Sequence, residues 1–135
     1  MANRNFRKTL NSFNTELTFI EGNAVIGGTG AVGTVKGSGV KSIVRNSAGN
    51  YTLKLEDKYA RYLGGHTGFI HTAAGGSGIA SVEVADYSVN THVEDGSGVI
   101  IQCFDYAGAK ADPASGSVLG FVMYLRNSSL KGKGE

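Results

Sequence analysis

Residues 98–129 read GVIIQCFDYAGAKADPASGSVLGFVMYLRNSS, and this stretch decides the fold class. Val99 to Tyr106 and Val118 to Arg126 are two long apolar segments. Between them lies a polar connection carrying Asp112, Pro113, Ser115 and Gly116. Side chains alternate between the faces of a strand. Val99, Ile101 and Cys103 therefore share one face, and Ile100, Gln102, Phe104 and Tyr106 take the other. Leu119, Phe121, Met123 and Leu125 likewise alternate with Val118, Gly120, Val122 and Tyr124. The two segments predict a long antiparallel hairpin at the centre of a β-sheet. Their apolar residues lie on both faces, so the hairpin needs cover on both sides, by a second sheet or by a partner.

The rest of the chain supports an all-β reading. Of 135 residues, 21 are glycine, one is proline and none is tryptophan. Glycine costs ~1 kcal/mol in a helix interior but suits turns and close backbone approaches. The spacing predicts strands over Phe13–Ile20, Ala31–Val35, Val40–Arg45, Tyr51–Leu55 and Phe69–Thr72. A further strand pattern runs over Ile79–Val93, with a bulge or break near Ala85-Asp86. Gly22–Gly30 reads as a turn-rich stretch. Asp57–Leu63 is the one helical candidate, with Tyr59, Tyr62 and Leu63 on one face and Gly64-Gly65 as its stop. Around eight short strands predict a single-domain antiparallel β-sandwich, jelly-roll-like, with an extended N-terminal arm. The expected division is an arm over 1–12, the sandwich over 13–129 and a basic tail over 130–135.

Formal charge is +2, too small to make nucleic acid the main partner. It is concentrated at the ends: Arg4, Arg7 and Lys8 precede the first acidic residue, Glu16, and Lys131 and Lys133 lie near the other end. With Phe6 as an aromatic anchor, Arg4, Phe6, Arg7 and Lys8 are the candidate contact residues of an arm that grips an acidic neighbour. Cys103 is the sole cysteine, so no intrachain disulfide can form. No signal peptide and no apolar run of about 18 residues is visible, so no membrane span is expected.

Motifs that carry chemistry are weak. Gly28-Thr29-Gly30-Ala31-Val32-Gly33 fits the dinucleotide pattern, but that pattern works only where a helix opens on its last glycine. The following residues, Thr34 to Gly39, do not favour a helix, and a glycine-rich turn is the expectation. Cys103 beside Val99 and Ile101 reads as a core residue rather than a nucleophile. His66, His71 and His92 lack metal-ligand spacing. Glu56-Asp57 and Glu94-Asp95 lack the density of a calcium loop and read as turn and cap residues. With no nucleophile–base pair or metal set recognisable, an enzyme is not expected, and no cofactor or metal is.

Three segments together resemble the capsid cement, or decoration, proteins of tailed bacteriophages with a jelly-roll fold. They are Tyr51-Thr52-Leu53-Lys54-Leu55-Glu56-Asp57-Lys58-Tyr59, Asp112-Pro113-Ala114-Ser115-Gly116 and Leu125-Arg126-Asn127-Ser128-Ser129. The resemblance spans roughly Lys41 to Ser129 and leaves out the arm. It implies a virion protein made in the host cytoplasm, sitting on the outer capsid surface. There it would bridge neighbouring major capsid subunits against internal DNA pressure. Its implied partners are the major capsid protein and itself, as a homodimer first and a trimer second. The alternative reading is a tail-fibre or receptor-binding sandwich module that recognises a glycan.

Overall fold

The computed structural model describes residues 17–70, 78–85 and 89–126, with backbone alone at 89 and 90. Eight strands follow in order: β1 Leu17–Ile26, β2 Val32–Ser38, β3 Val40–Ser47, β4 Asn50–Leu55, β5 Arg61–Ile70, β6 Ser81–Val84, β7 Val99–Phe104 and β8 Val118–Arg126. One 3-10 turn, Gly28–Gly30, precedes β2, and one short helix, α1 (Val89–Asp95), precedes β7. The strands form two antiparallel four-stranded sheets, ordered β2-β1-β8-β5 (sheet A) and β3-β4-β7-β6 (sheet B). The expected all-β sandwich is therefore present. Strand count and layering are those of a jelly roll, but β1–β2, β3–β4 and β6–β7 each stay paired within one sheet. At one margin the chain turns from β2 into β3 through Gly39, whose φ of 77° suits glycine. At the other margin the Thr67 hydroxyl on β5 donates to the Val82 carbonyl on β6 at 3.2 Å, tying the layers together.

The inner faces follow the predicted alternation. Val99, Ile101 and Cys103 from β7 meet Leu119, Phe121, Met123 and Leu125 from β8, all buried. Ile20, Ala24 and Ile26 from β1, and Tyr51, Leu53 and Leu55 from β4, complete the core. Gly22, in mid-strand on β1, is required by close approach: a Cβ there would strike the Phe121 ring and the Lys36 carbonyl. The phenyl ring fills the space that any side chain at 22 would need.

Four expectations are corrected. β7 and β8 are not a hairpin: β7 pairs with β4 and β6, while β8 pairs with β1 and β5. Each is central, but in a different sheet, and the connection from Asp105 to Ser117 is an arch between layers. Its length is the physical reason, since tight hairpins close over about 2–5 residues. Asp57–Leu63 is not a helix. Arg61 starts the ten-residue strand β5, which pairs with β8 from Arg126 to Val118. That ladder outweighs two helical turns ending in glycines. Phe69 and Ile70 belong to this same strand. Conversely, the second half of the Ile79–Val93 pattern is helical. Val89 and Val93 are four apart as well as alternating, and Val93 is fully buried. The break near Ala85 is real, since β6 ends at Val84. Finally, Gly22–Ile26 is strand rather than turn, because β1 runs through to Ile26. Residues 13–16, 71–77, 86–88 and the basic tail over 130–135 lie outside the described residues.

Candidate functional site: the outer face of sheet A

The two outward faces of the sandwich differ in chemistry. Sheet B turns out Ser42, Asn46, Thr52, Lys54, Glu83 and Gln102, with fewer apolar groups such as Val44, Ile100 and Phe104. This is an ordinary solvated β-face. Sheet A turns out a mixed face, richer in apolar and glycine residues but also carrying Glu21, Asn23, Lys36, His66, Arg61 and Arg126. The register sorts them into rows that cross β1, β8 and β5: Phe19/Tyr124/Gly64, Glu21/Val122/His66, Asn23/Gly120/Gly68 and Val25/Val118/Ile70. Lys36 of β2 extends the third row, opposite Asn23. Phe19, Val25, Leu63, Ile70 and Tyr124 are all exposed, with Ile70 at 67%. Phe19 and Tyr124 meet edge to face, with ring centroids 5.3 Å apart.

The third row sits in a depression of about 700 Å³ that crosses the sheet. Gly120 and Gly68 are its floor. Val122 and His66 border it on one side, Ile70 on the other, and Asn23 and Lys36 lie at its far end. The glycines here are not demanded by the fold. Neither residue has a positive φ. Among the described residues, a Cβ on Gly68 would meet nothing within 4 Å, and one on Gly120 only the Gly68 carbonyl at 3.9 Å. Two glycines paired between the central strand β8 and the edge strand β5 forgo side-chain packing and cost conformational entropy on folding. What they provide is a floor that another group can approach closely.

A second depression, about 520 Å³, lies between β4 and the segment after α1. It brings together members of both acidic pairs, Glu56, Asp57 and Asp95, with Lys41, Lys54, Lys58 and His92. Its charges are mixed. The Ser97 side chain, and then the Ser97 amide at 2.6 Å, hydrogen-bond the Asp95 carboxylate and hold it below its ordinary value. That is the turn role expected for this pair.

A polar cluster fixes the arch. The Asp112 carboxylate accepts from Arg45 Nε at 2.9 Å and Nη2 at 2.6 Å. It also accepts from the Gly49 amide at 3.0 Å and the Tyr51 hydroxyl at 3.2 Å. The Tyr51 hydroxyl lies 3.0 Å from the Gly30 carbonyl as well. The Arg45 guanidinium and these donors hold the Asp112 carboxyl down at about 2. Burial, with Asp112 adding to it, pushes the Tyr51 phenol well above its ordinary value. Two segments of the family resemblance, Tyr51–Tyr59 and Asp112–Gly116, are thus in direct contact through a structural clamp.

The remaining sequence candidates are dispersed. Gly28–Gly33 passes from a 3-10 turn into strand β2, so no helix N-terminus meets a phosphate there. Cys103 is buried in β7, and burial pushes its thiol up to about 12. That is the setting of an inert core thiol. His66 lies on β5 and His92 in α1. Among the described residues no three His, Cys, Asp or Glu side chains gather as metal ligands, and no helix is long and apolar enough to cross a membrane. Arg4, Phe6, Arg7, Lys8 and His71 lie outside the described residues. Sequence reasoning missed the sheet A face itself, because its rows appear only once the register is known. No protein-family model, no curated protein and no solved structure matches the chain.

Proposed function

We propose that this chain is a structural virion protein that binds the outside of a phage capsid and cements neighbouring major capsid subunits against internal DNA pressure. One observation carries the reading. The outward face of sheet A carries more apolar and glycine residues than that of sheet B, among them the exposed Phe19, Val25, Ile70 and Tyr124, as suits a body meant to be covered on one face. The three-segment resemblance to phage decoration proteins points the same way. In this reading Arg4, Phe6, Arg7 and Lys8 form the arm that grips the shell, and sheet A supplies the assembly face. Many weak attachments act together, so each needs little affinity. Mass spectrometry and electron microscopy of purified virions test the proposal: the chain is expected in many copies on the outer shell. Its absence from virions overturns the reading. Deleting Met1–Asn11 is expected to lower capsid occupancy, and unchanged occupancy rules out the arm.

A glycan-binding tail module is the second reading. It is favoured by the polar side chains of Asn23, Lys36 and His66 around the depression. Specific, saturable binding on a glycan array would turn the assignment that way.

A further inference from the structure

The two terminal segments leave the sandwich side by side, which their distance in sequence conceals. Leu17, where β1 begins, pairs with Arg126, where β8 ends, and Arg126 pairs on its other side with Arg61 of β5. Facing residues on antiparallel strands have Cα atoms about 4.5–5.5 Å apart, and each bonded neighbour adds ~3.8 Å. Residues 16 and 127 therefore start within about 13 Å of each other, at one end of sheet A. A chain covers at most about 3.6 Å per residue, so Lys8 stays within about 32 Å of Leu17 and Lys131 within about 18 Å of Arg126. These bounds hold for any conformation of the two segments.

Formal charge follows the same division. Residues 17–126 carry eight Lys or Arg against nine Asp or Glu. Residues 1–16 carry Arg4, Arg7 and Lys8 against Glu16, and residues 127–135 carry Lys131 and Lys133 against Glu135. The positive excess of the chain thus lies in the two terminal segments, with Arg61 and Arg126 at their shared origin. Acids at this end do not cancel it. Glu56 and Asp57 precede β5, and α1, which packs against β5, carries Glu94 and Asp95. Lys41, Lys54, Lys58 and His92 stand among these acids.

We propose that residues 1–16 and 127–135 act as one two-armed grip on a single acidic patch of a partner protein. Phe6, Leu10 and Leu130 lie among the cations, so the fitting patch has carboxylates around apolar ground. Nucleic acid fits less well, because Glu16, Glu135 and the four acids nearby repel a continuous line of phosphates. Two arms leaving one point raise each other's effective concentration, so weak single contacts combine. The partner's identity as the capsid shell rests on the proposed function; the joint action of the two segments does not.

The test is fluorescence anisotropy with a labelled oligoglutamate peptide, and with a labelled DNA duplex as the nucleic-acid arm. Circular dichroism confirms folding of each variant. Wild type is expected to bind the peptide more tightly than the duplex, and more weakly as salt rises. One variant carries Arg4→Gln, Arg7→Gln and Lys8→Gln, and the other Lys131→Gln and Lys133→Gln. Each is expected to lose about tenfold or more in affinity. A free peptide of residues 127–135, added in equimolar amount to the second variant, is expected to restore nothing. Absence of peptide binding by wild type, tighter binding to the duplex, a variant that keeps wild-type affinity, or rescue by the free peptide each overturns the proposal. Absence of the chain from virions removes the capsid as partner and leaves the peptide result standing.

Discussion

Replacing Asp112 with alanine tests the clamp that joins the arch to sheet B. The substitution removes four hydrogen bonds at once, two from Arg45 and one each from Gly49 and Tyr51. The buried Gly49 amide is left without its acceptor, which costs about 1–3 kcal/mol. The ion pair is partly solvated, with Arg45 33% and Asp112 22% exposed, so its loss adds up to about 1 kcal/mol. Tyr51 retains the Gly30 carbonyl and adds little. The expected total is about 1–4 kcal/mol, a fall of roughly 0.5–2 M in the urea midpoint for a domain of this size. Asp112→Asn keeps an acceptor for Gly49 and Tyr51 and is expected to cost about half as much. Acidity provides a second axis. The folded carboxyl titrates near 2 instead of its ordinary 3.8. Its contribution is therefore present above about pH 4 and is lost as pH falls towards 2. That shift corresponds to about 2.5 kcal/mol before solvent screening, and to roughly 1–2 kcal/mol after it. The gap between wild type and Asp112→Asn should narrow by that amount between pH 5 and pH 2. An alanine cost below about 1 kcal/mol, or a gap that does not change with pH, refutes the account.

Three further outcomes are expected. Gly22→Ala should destabilise by about 2–4 kcal/mol in urea unfolding, because its Cβ strikes Phe121 and the Lys36 carbonyl. Gly68→Ala should be neutral or stabilising by up to about 1 kcal/mol, because its Cβ meets no described residue within 4 Å. Cys103 should resist a thiol reagent at pH 8 in the folded protein and react fully in denaturant, and rapid labelling of the native state would contradict its burial.

What the amino-acid sequence discloses here is alternation, and what it withholds is pairing. Val99/Ile101/Cys103 and Leu119/Phe121/Met123/Leu125 were each legible as one face of a strand because a strand face repeats every second residue, while which face of the second strand is core was not. That the two strands enter different sheets was not, since apolar segments on both faces fit a hairpin and an arch equally. The length of the connection from Asp105 to Ser117 was the available signal. Val89 and Val93 satisfied both a strand and a helical period, and tertiary burial of Val93 decided between them. Tyr59, Tyr62 and Leu63 mimicked a helical face, but only the register with β8 shows that Arg61–Ile70 is extended. The glycine-rich outer face of sheet A was visible only as a surplus of glycine, because Gly68 and Gly120 are 52 positions apart in sequence and become neighbours through the β5–β8 ladder. Arg45 and Asp112, 67 residues apart, follow no local pattern at all.

The placement of β8 also imposes an order in time. β1 and β5 do not pair with each other; each pairs with β8. A growing chain can form the β1–β2 ribbon and the β3–β4 pair early, but sheet A has no centre until Val118–Arg126 has emerged. Until then the apolar inner edges of β1 and β5 remain open to other chains. Such long-range closure makes folding slow. A ribosome stalled before residue 118 would hold half a sandwich with its seam exposed.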